Sequence, residues 1–149
     1  MSKKFIILRG APGSGKSFKA KQLVGDTGII CSADNFFTVN GHYNFDITKI
    51  KDAHKECQDL ALDALQNEVD TVIIDNTNTT ITEMKSYIPH IKLAQKKGYS
   101  IEIIEADSEW AFNIDELYKR NTHNVPKQVI ENMVKRYKKN VTIQDILEG

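Results

Sequence analysis

The octapeptide Gly10-Ala-Pro-Gly-Ser-Gly-Lys-Ser17 has the spacing G-x-x-x-x-G-K-S, lying between an apolar run and a segment of helical composition. Glycines at these positions let consecutive backbone N–H groups turn inward around an anion, and a helix opening near Gly15 adds its positive end. On this reading Gly13, Ser14 and Gly15 supply main-chain donors to phosphate oxygens. Lys16 reaches the outer phosphates, and the Ser17 hydroxyl holds a divalent cation. An ordinary glycine-rich strand-to-helix turn has no need of the Lys-Ser pair, so a nucleotide-phosphate site is expected.

Two carboxylates are candidates for the other half of such chemistry. Asp34 follows the short apolar run Gly28-Ile-Ile30 and precedes Asn35-Phe36-Phe37. It is placed to accept a proton from an attacking hydroxyl or, alternatively, to cap the following segment. Asp75 closes the run Thr71-Val-Ile-Ile-Asp75 and leads into Asn76-Thr-Asn-Thr-Thr80. An acid there would orient Mg²⁺ through its water shell, with Asn76 and Asn78 offering uncharged donors and acceptors to an acceptor molecule; a plain asparagine turn is the other reading. Among the three arginines, Arg9 precedes the glycine-rich turn and Arg136 lies in a lysine-rich stretch with the pattern of a solvated face. Arg120, in Tyr118-Lys-Arg-Asn-Thr-His-Asn-Val-Pro126, is the one placed for a mobile lid over the phosphates, or else forms a surface Lys–Arg pair.

The elements that would position these groups alternate. A strand over Lys4–Leu8 is followed by a helix from about Gly15 to Val24 and a second strand before Cys31. A long helix capped by Asp46 carries Ile47, Ile50, His54, Cys57, Ala61 and Ala64 on one face. A strand ending at Asp75, a helix interrupted at Pro89 and closed by Gly98, and a strand over 99–106 follow. Two last helices are expected over 108–121 and 126–140. Continuous rather than alternating apolar strands separated by helices indicate a parallel sheet covered on both faces.

The chain has 149 residues, 40% hydrophobic and 27% charged with zero formal net charge, which fits one folded domain over 1–149 and excludes a disordered or coiled-coil chain. Its opening apolar run is too short for a signal peptide or membrane span, so a cytoplasmic location is expected. Cys31 and Cys57 lack metal-ligand or disulfide spacing and are expected as reduced, buried thiols. Between Tyr118 and Asn140, Lys119, Arg120, Lys127, Lys135, Arg136, Lys138 and Lys139 face only Glu131, a local basic excess that a solvated helix face also explains.

The ordered segments GAPGSGKS, SADNFF, GHYNFD, IIDNTNTT, EMKSYI and KRNTHNVP resemble the P-loop kinase-like domain of the NEDD-four-binding-protein-two family. More distantly they resemble polynucleotide 5′-kinases, and the resemblance spans about Lys4 to Tyr137. It implies an adenylate-kinase-like P-loop fold, a three-layer α/β/α arrangement with a parallel sheet and a C-terminal helical lid. It also implies ATP with Mg²⁺ and transfer of the γ-phosphate to the 5′-hydroxyl of DNA or RNA. By position, Lys16 and Ser17 match the phosphate and metal residues, Asp34 the general base and Arg120 a lid arginine. Where such kinases often carry an arginine beside the base, this chain has Ala33, Phe36 and Phe37. Phe36, Phe37, Tyr43 and Phe45 therefore become candidates for stacking on a terminal base, with one or two expected in the acceptor groove and the rest in the core. Trp110 and Phe112 are expected as helix-packing anchors. A small-molecule hydroxyl as acceptor and a non-enzymatic ATP-dependent binding module are the competing functional classes.

Overall fold

A computed structural model describes residues 2–148. Its central sheet has the order β2-β5-β1-β6, built from β1 (Lys4–Arg9), β2 (Ile29–Cys31), β5 (Thr71–Asp75) and β6 (Ser100–Glu105), with every pairing parallel. Alternate residues of a strand point to opposite faces, so a strand covered on both sides must be apolar throughout. Phe5 and Ile7 of β1 and Val72 and Ile74 of β5 pack with residues from α2 (Ile50–Gln66), α4 (Ile88–Lys96) and α7 (Ile143–Glu148). Ile6, Leu8 and Ile73 pack on the opposite face against Ala20 of α1 (Lys16–Leu23). Each fully buried isoleucine or leucine contributes about 1.5–3 kcal/mol of transfer free energy, which is why these runs tolerate no polar break before the site edge.

Several expected boundaries shift, each for a local reason. Ile47, expected on the buried face of the long helix, is 72% exposed. Asp46 caps a single 3₁₀ turn by accepting from the Thr48 N–H at 3.0 Å, and α2 starts only at Ile50. Its buried stripe is Ala53, Cys57, Ala61, Ala64 and Leu65. The helix expected to break at Pro89 breaks one turn earlier, giving α3 (Ile81–Met84), a 3₁₀ turn over Lys85–Tyr87, and α4 with the proline in its first turn. Proline has no N–H to donate back and is accommodated where that donor would be unpaired anyway. The penultimate helix, α5 (Ile114–Arg120), begins later than expected because Asn113 caps it, its side-chain oxygen accepting from Glu116 N–H at 3.1 Å. The last expected helix is α6 (Lys127–Arg136).

Two elements went unforeseen. A hairpin of β3 (Thr38–Val39) and β4 (His42–Tyr43) turns at Asn40 and Gly41, whose φ values of 51° and 78° are those an Asn-Gly turn supplies. Helix α7 is opened by Thr142 and Asp145, each side chain accepting from the other's backbone N–H at 3.1 and 2.9 Å. Both cysteines are buried and free, and burial pushes the Cys31 thiol up to about 12. Among the described residues no helix is long and apolar enough to cross a membrane.

Candidate active site

The carboxyl ends of β1, β2 and β5 deliver the three candidate motifs to one edge of the sheet, where ligands of open α/β sheets bind. After β1 the chain turns through Gly13 at φ 83° and Gly15 at φ 92°, and α1 begins at Lys16. A Cβ at Gly13 would collide with the Leu117 carbonyl, so the turn needs glycine there both for its conformation and for the approach of α5. The carbonyls of Gly13 and Ser14 accept from Trp110 Nε1 and Ser108 Oγ, both at 2.9 Å, so donors from outside the turn hold two of its acceptors.

Lys16, Ser17 and Asp75 converge. Ser17 Oγ donates to Asp75 Oδ2 at 2.9 Å, and Lys16 Nζ lies 3.4 Å from Asp75 Oδ1. Asp75 is 6% exposed, and its Oδ1, like Ser14 Oγ, is buried with no hydrogen-bond partner among the described residues. A buried carboxylate oxygen without a hydrogen bond, next to a serine hydroxyl, offers the hard oxygen donors that Mg²⁺ takes. The described residues contain no cluster of three His, Cys, Asp or Glu that could hold a metal. Mg²⁺ at phosphate sites uses one or two protein ligands with phosphates and waters, so the donor set present fits it.

A cavity of about 270 Å³ lies over this turn, lined by Gly13, Ser14, Gly15, Lys16, Ser17, Phe18, Trp110, Arg120 and Thr122. Arg120 is thus beside the glycine-rich turn: its guanidinium stacks 3.8 Å over the Trp110 ring, and its Nε donates to Glu116 Oε1 at 2.8 Å. A larger cleft of about 660 Å³ shares Lys16 and Ser17 with that cavity and has Asp34 in its lining. Asp34 lies in a 3₁₀ turn over Ala33–Phe37, where its N–H donates to Ser32 Oγ at 3.2 Å. The cap of that turn is therefore Ser32, and the Asp34 carboxylate, 45% exposed, is left free of the capping task that local sequence allowed it. Tyr43 OH donates to Asp34 Oδ1 at 3.4 Å, and His123 Nδ1 lies 3.3 Å from Oδ2. Burial, with the Asp34 charge and hydrogen bond second, pushes the Tyr43 phenol up to about 12, so it stays a donor at neutral pH.

Of the four residues expected to bind the acceptor, Asn76 alone is in the lining of the cleft, and all four make internal contacts. Phe37 is 4% exposed and packs with Ala33 and Ala53, Phe36 packs partly buried against the same cluster, and neither lines the cleft. The 3₁₀ turn carries both rings back toward α2, and Tyr43, Phe45 and His123 are among the rings that line the cleft instead. Asn76 lines the cleft, with its amide bonded internally: Oδ1 accepts from Ala33 N–H at 2.9 Å, and Nδ2 donates to Tyr87 OH at 3.1 Å. It ties the end of β5 to the chain entering Asp34. Asn78, at φ 45°, donates to the Leu8 carbonyl at 2.8 Å and is buried.

Residues 5–142 match the AAA domain family model. The chain belongs to this family. Over 146 residues, 97% of its length, this AAA domain is 40% identical to human NEDD4-binding protein 2, of which it spans only 8%. It is also similar to a chain in the solved Pnkp1/Rnl/Hen1 RNA repair complex, with a TM-score of 0.62, 23% identity, and coverage of 91% of this chain and 44% of that one. A second Pnkp1/Rnl/Hen1 complex gives a TM-score of 0.57 at 25% identity, covering 80% and 39%. The fold is therefore the P-loop kinase-like one, a fold class that binds nucleotides.

Three residues of this AAA domain meet the site edge without a chemical role expected from sequence. His123 sits in the segment KRNTHNVP, where a histidine three residues after Arg120 was the available signal. Trp110, expected as a helix-packing anchor, packs near Ala11 and Leu117 but also holds the Gly13 carbonyl. Arg136, read as part of a solvated face, donates through Nε to Thr79 Oγ1 at 2.9 Å and lines the cleft. Residues 57 positions apart give no local signal of that contact.

Proposed function

We propose that this domain is an ATP-dependent kinase that transfers the γ-phosphate to a 5′-hydroxyl end of DNA or RNA. The reading rests on one observation above others: a carboxylate not consumed by local capping, Asp34, lines the same cleft as the Lys16 and Ser17 of a phosphate-binding turn. Lys16 would neutralise charge on the transferred group, and Arg120, beside the turn on the lid side, would do so from the other flank. Ser17 and Asp75 would hold Mg²⁺, which would supply positive charge against the developing charge of the phosphates. Asp34 accepts the hydroxyl proton as the acceptor oxygen bonds to the γ-phosphorus and the bond to the ADP oxygen breaks. Phe45, half-exposed in the cleft, offers an aromatic face on which a terminal base can stack, while Tyr43 is stacked on His123.

Purified protein with γ-labelled ATP is expected to label 5′-OH oligonucleotides. Asp34→Ala should lower the rate by roughly a hundredfold or more while ATP binding persists. No label on DNA or RNA ends would overturn the acceptor assignment. The apolar walls from Ile47, Ile50, Val129 and Met133 favour a second reading, a nucleoside-sized acceptor, which ATP consumption across a panel of small hydroxyl compounds would reveal.

A further inference from the structure

The carboxylate of Asp34 is approached from two directions by two aromatic rings. Tyr43 and His123 stack with centroids 4.0 Å apart and planes 8° from parallel. Each brings a polar atom to a different carboxylate oxygen: Tyr43 OH donates to Oδ1 (3.4 Å), and His123 Nδ1 lies within ion-pair distance of Oδ2 (3.3 Å). The rings come from segments far apart in sequence, and each rests on shaped backbone. Tyr43 ends the Asn40-Gly41 hairpin and packs edge-on against the buried Phe37, centroids 6.3 Å apart. His123 rides on a loop built by Asn121, whose Oδ1 accepts from Val125 N–H at 2.9 Å and whose Nδ2 donates to the Tyr118 carbonyl at 2.7 Å. That loop follows Arg120 directly, and its Thr122 lines both the phosphate cavity and the larger cleft.

We propose that Tyr43 and His123 are positioning residues for Asp34, each holding one of its oxygens, and that His123 makes this hold depend on the loop that follows Arg120. The inference rests on the reading of Asp34 as the base. A carboxylate on an exposed turn rotates freely, and two donors on separate oxygens fix both its plane and the lone pair left for an incoming hydroxyl. A purely structural ring pair would gain its stacking energy without either polar atom meeting the carboxylate. The Tyr43 bond is long and the His123 contact is one of proximity, and catalytic hydrogen bonds are often long or poorly aligned before the substrates close the site. The hydrogen that His123 would donate is the one on Nδ1, present in the imidazolium and in one neutral tautomer.

The deciding variants separate stacking from donation. Tyr43→Phe and His123→Phe keep two facing rings, the first removing the phenol oxygen and the second both imidazole nitrogens. With a 5′-OH oligonucleotide, kcat should fall roughly ten- to a hundredfold in each, with KM for ATP unchanged and the melting temperature preserved. His123→Asn, which retains a donor near Nδ1, should recover part of the loss. In an Asp34→Ala background neither substitution should lower the residual rate further, because both act through that carboxylate. Equal losses with and without Asp34, or full activity in His123→Phe, would overturn the proposal. Should the wild type phosphorylate no acceptor, the reading of function fails by itself. The ¹³C shift of the Asp34 carboxyl carbon then decides: it is expected to move in Tyr43→Phe and His123→Phe while that of Asp46 stays, and an unmoved Asp34 signal would end the positioning claim.

Discussion

Ser17 and Asp75 meet at the start of α1, where the glycine-rich turn ends. The hydroxyl donates to one carboxylate oxygen, and the other oxygen meets only the Lys16 ammonium. If this pair holds Mg²⁺, its value should appear only in the presence of the ion. Ser17→Ala and Asp75→Asn are expected to weaken binding of a non-hydrolysable ATP analogue by roughly ten- to a hundredfold with Mg²⁺ present, and by much less in EDTA. Calorimetric titration under both conditions checks this, and equal losses in the two would assign the pair to packing of the turn alone. At this same scale the sequence was informative where residue type and spacing together demand a task, as in the glycine-rich turn. It was uninformative where a task is available to any polar residue: Asn76 and Asn78 offered donors to an acceptor but bond to Ala33 and Leu8.

At the scale of elements, strand runs such as Phe5–Leu8 were legible because two-sided burial leaves one solution for them. Ends were less so, since they depend on single side chains such as Asn113 and Thr142, and on contacts remote in sequence. The hairpin that carries Tyr43 had its Asn-Gly signal, yet two-residue strands give too short an alternation to register. Helix α4 is pinned to α2 by His90, which is buried and has Nε2 at 2.7 Å from the Gln58 carbonyl. A carbonyl partner requires the hydrogen on Nε2, leaving Nδ1 as a bare lone pair in a dry site with no partner among the described residues. Burial holds the His90 pKa below its ordinary value, outweighing the opposing pull of the Gln58 carbonyl and Asp59. The unfolded chain therefore takes up this proton first as pH falls, so the stability is whole above the ordinary value of about 6.5 and is lost below it. Urea midpoints should decline from pH 7.0 to 5.5, with this one site contributing at most about 1.4 kcal/mol per pH unit. His90→Gln should flatten that slope, and an unchanged slope would place the pH sensitivity elsewhere.

Across the whole molecule the three arginines meet three fates, and the most deeply set of them explains how the C-terminal region is held over the site edge. Arg9, at the end of β1, is fully buried; its Nε donates to the Asn78 carbonyl at 2.8 Å and its Nη2 to the carbonyls of Thr79 at 3.1 Å and Lys138 at 2.6 Å. Its Nη1 lies 3.6 Å from Glu105 Oε1 on β6, and the guanidinium packs 4.4 Å from the Tyr137 ring centroid. One side chain thus joins β1, the segment after β5, the edge strand and the chain leaving α6, which no pattern within a sequence window reveals. Removing the cation strands three carbonyls and a partly buried carboxylate, a loss on the order of 3–5 kcal/mol. Arg9→Met is therefore expected to lower the melting temperature by roughly 10 °C, at about 2–4 °C per kcal/mol for a chain of this size. Arg9→Lys should recover little, because a single ammonium on an unbranched stem cannot reproduce a fork that serves several acceptors. Arg120→Met removes a half-exposed charge paired with Glu116 one turn away and stacked on Trp110, and should cost at most about 1–2 kcal/mol while impairing any nucleotide-dependent activity. Thermal denaturation of the three variants side by side tests the division of labour: comparable losses in Arg9→Met and Arg120→Met would refute the distinction between an arginine that holds the fold and one that serves the phosphate cavity.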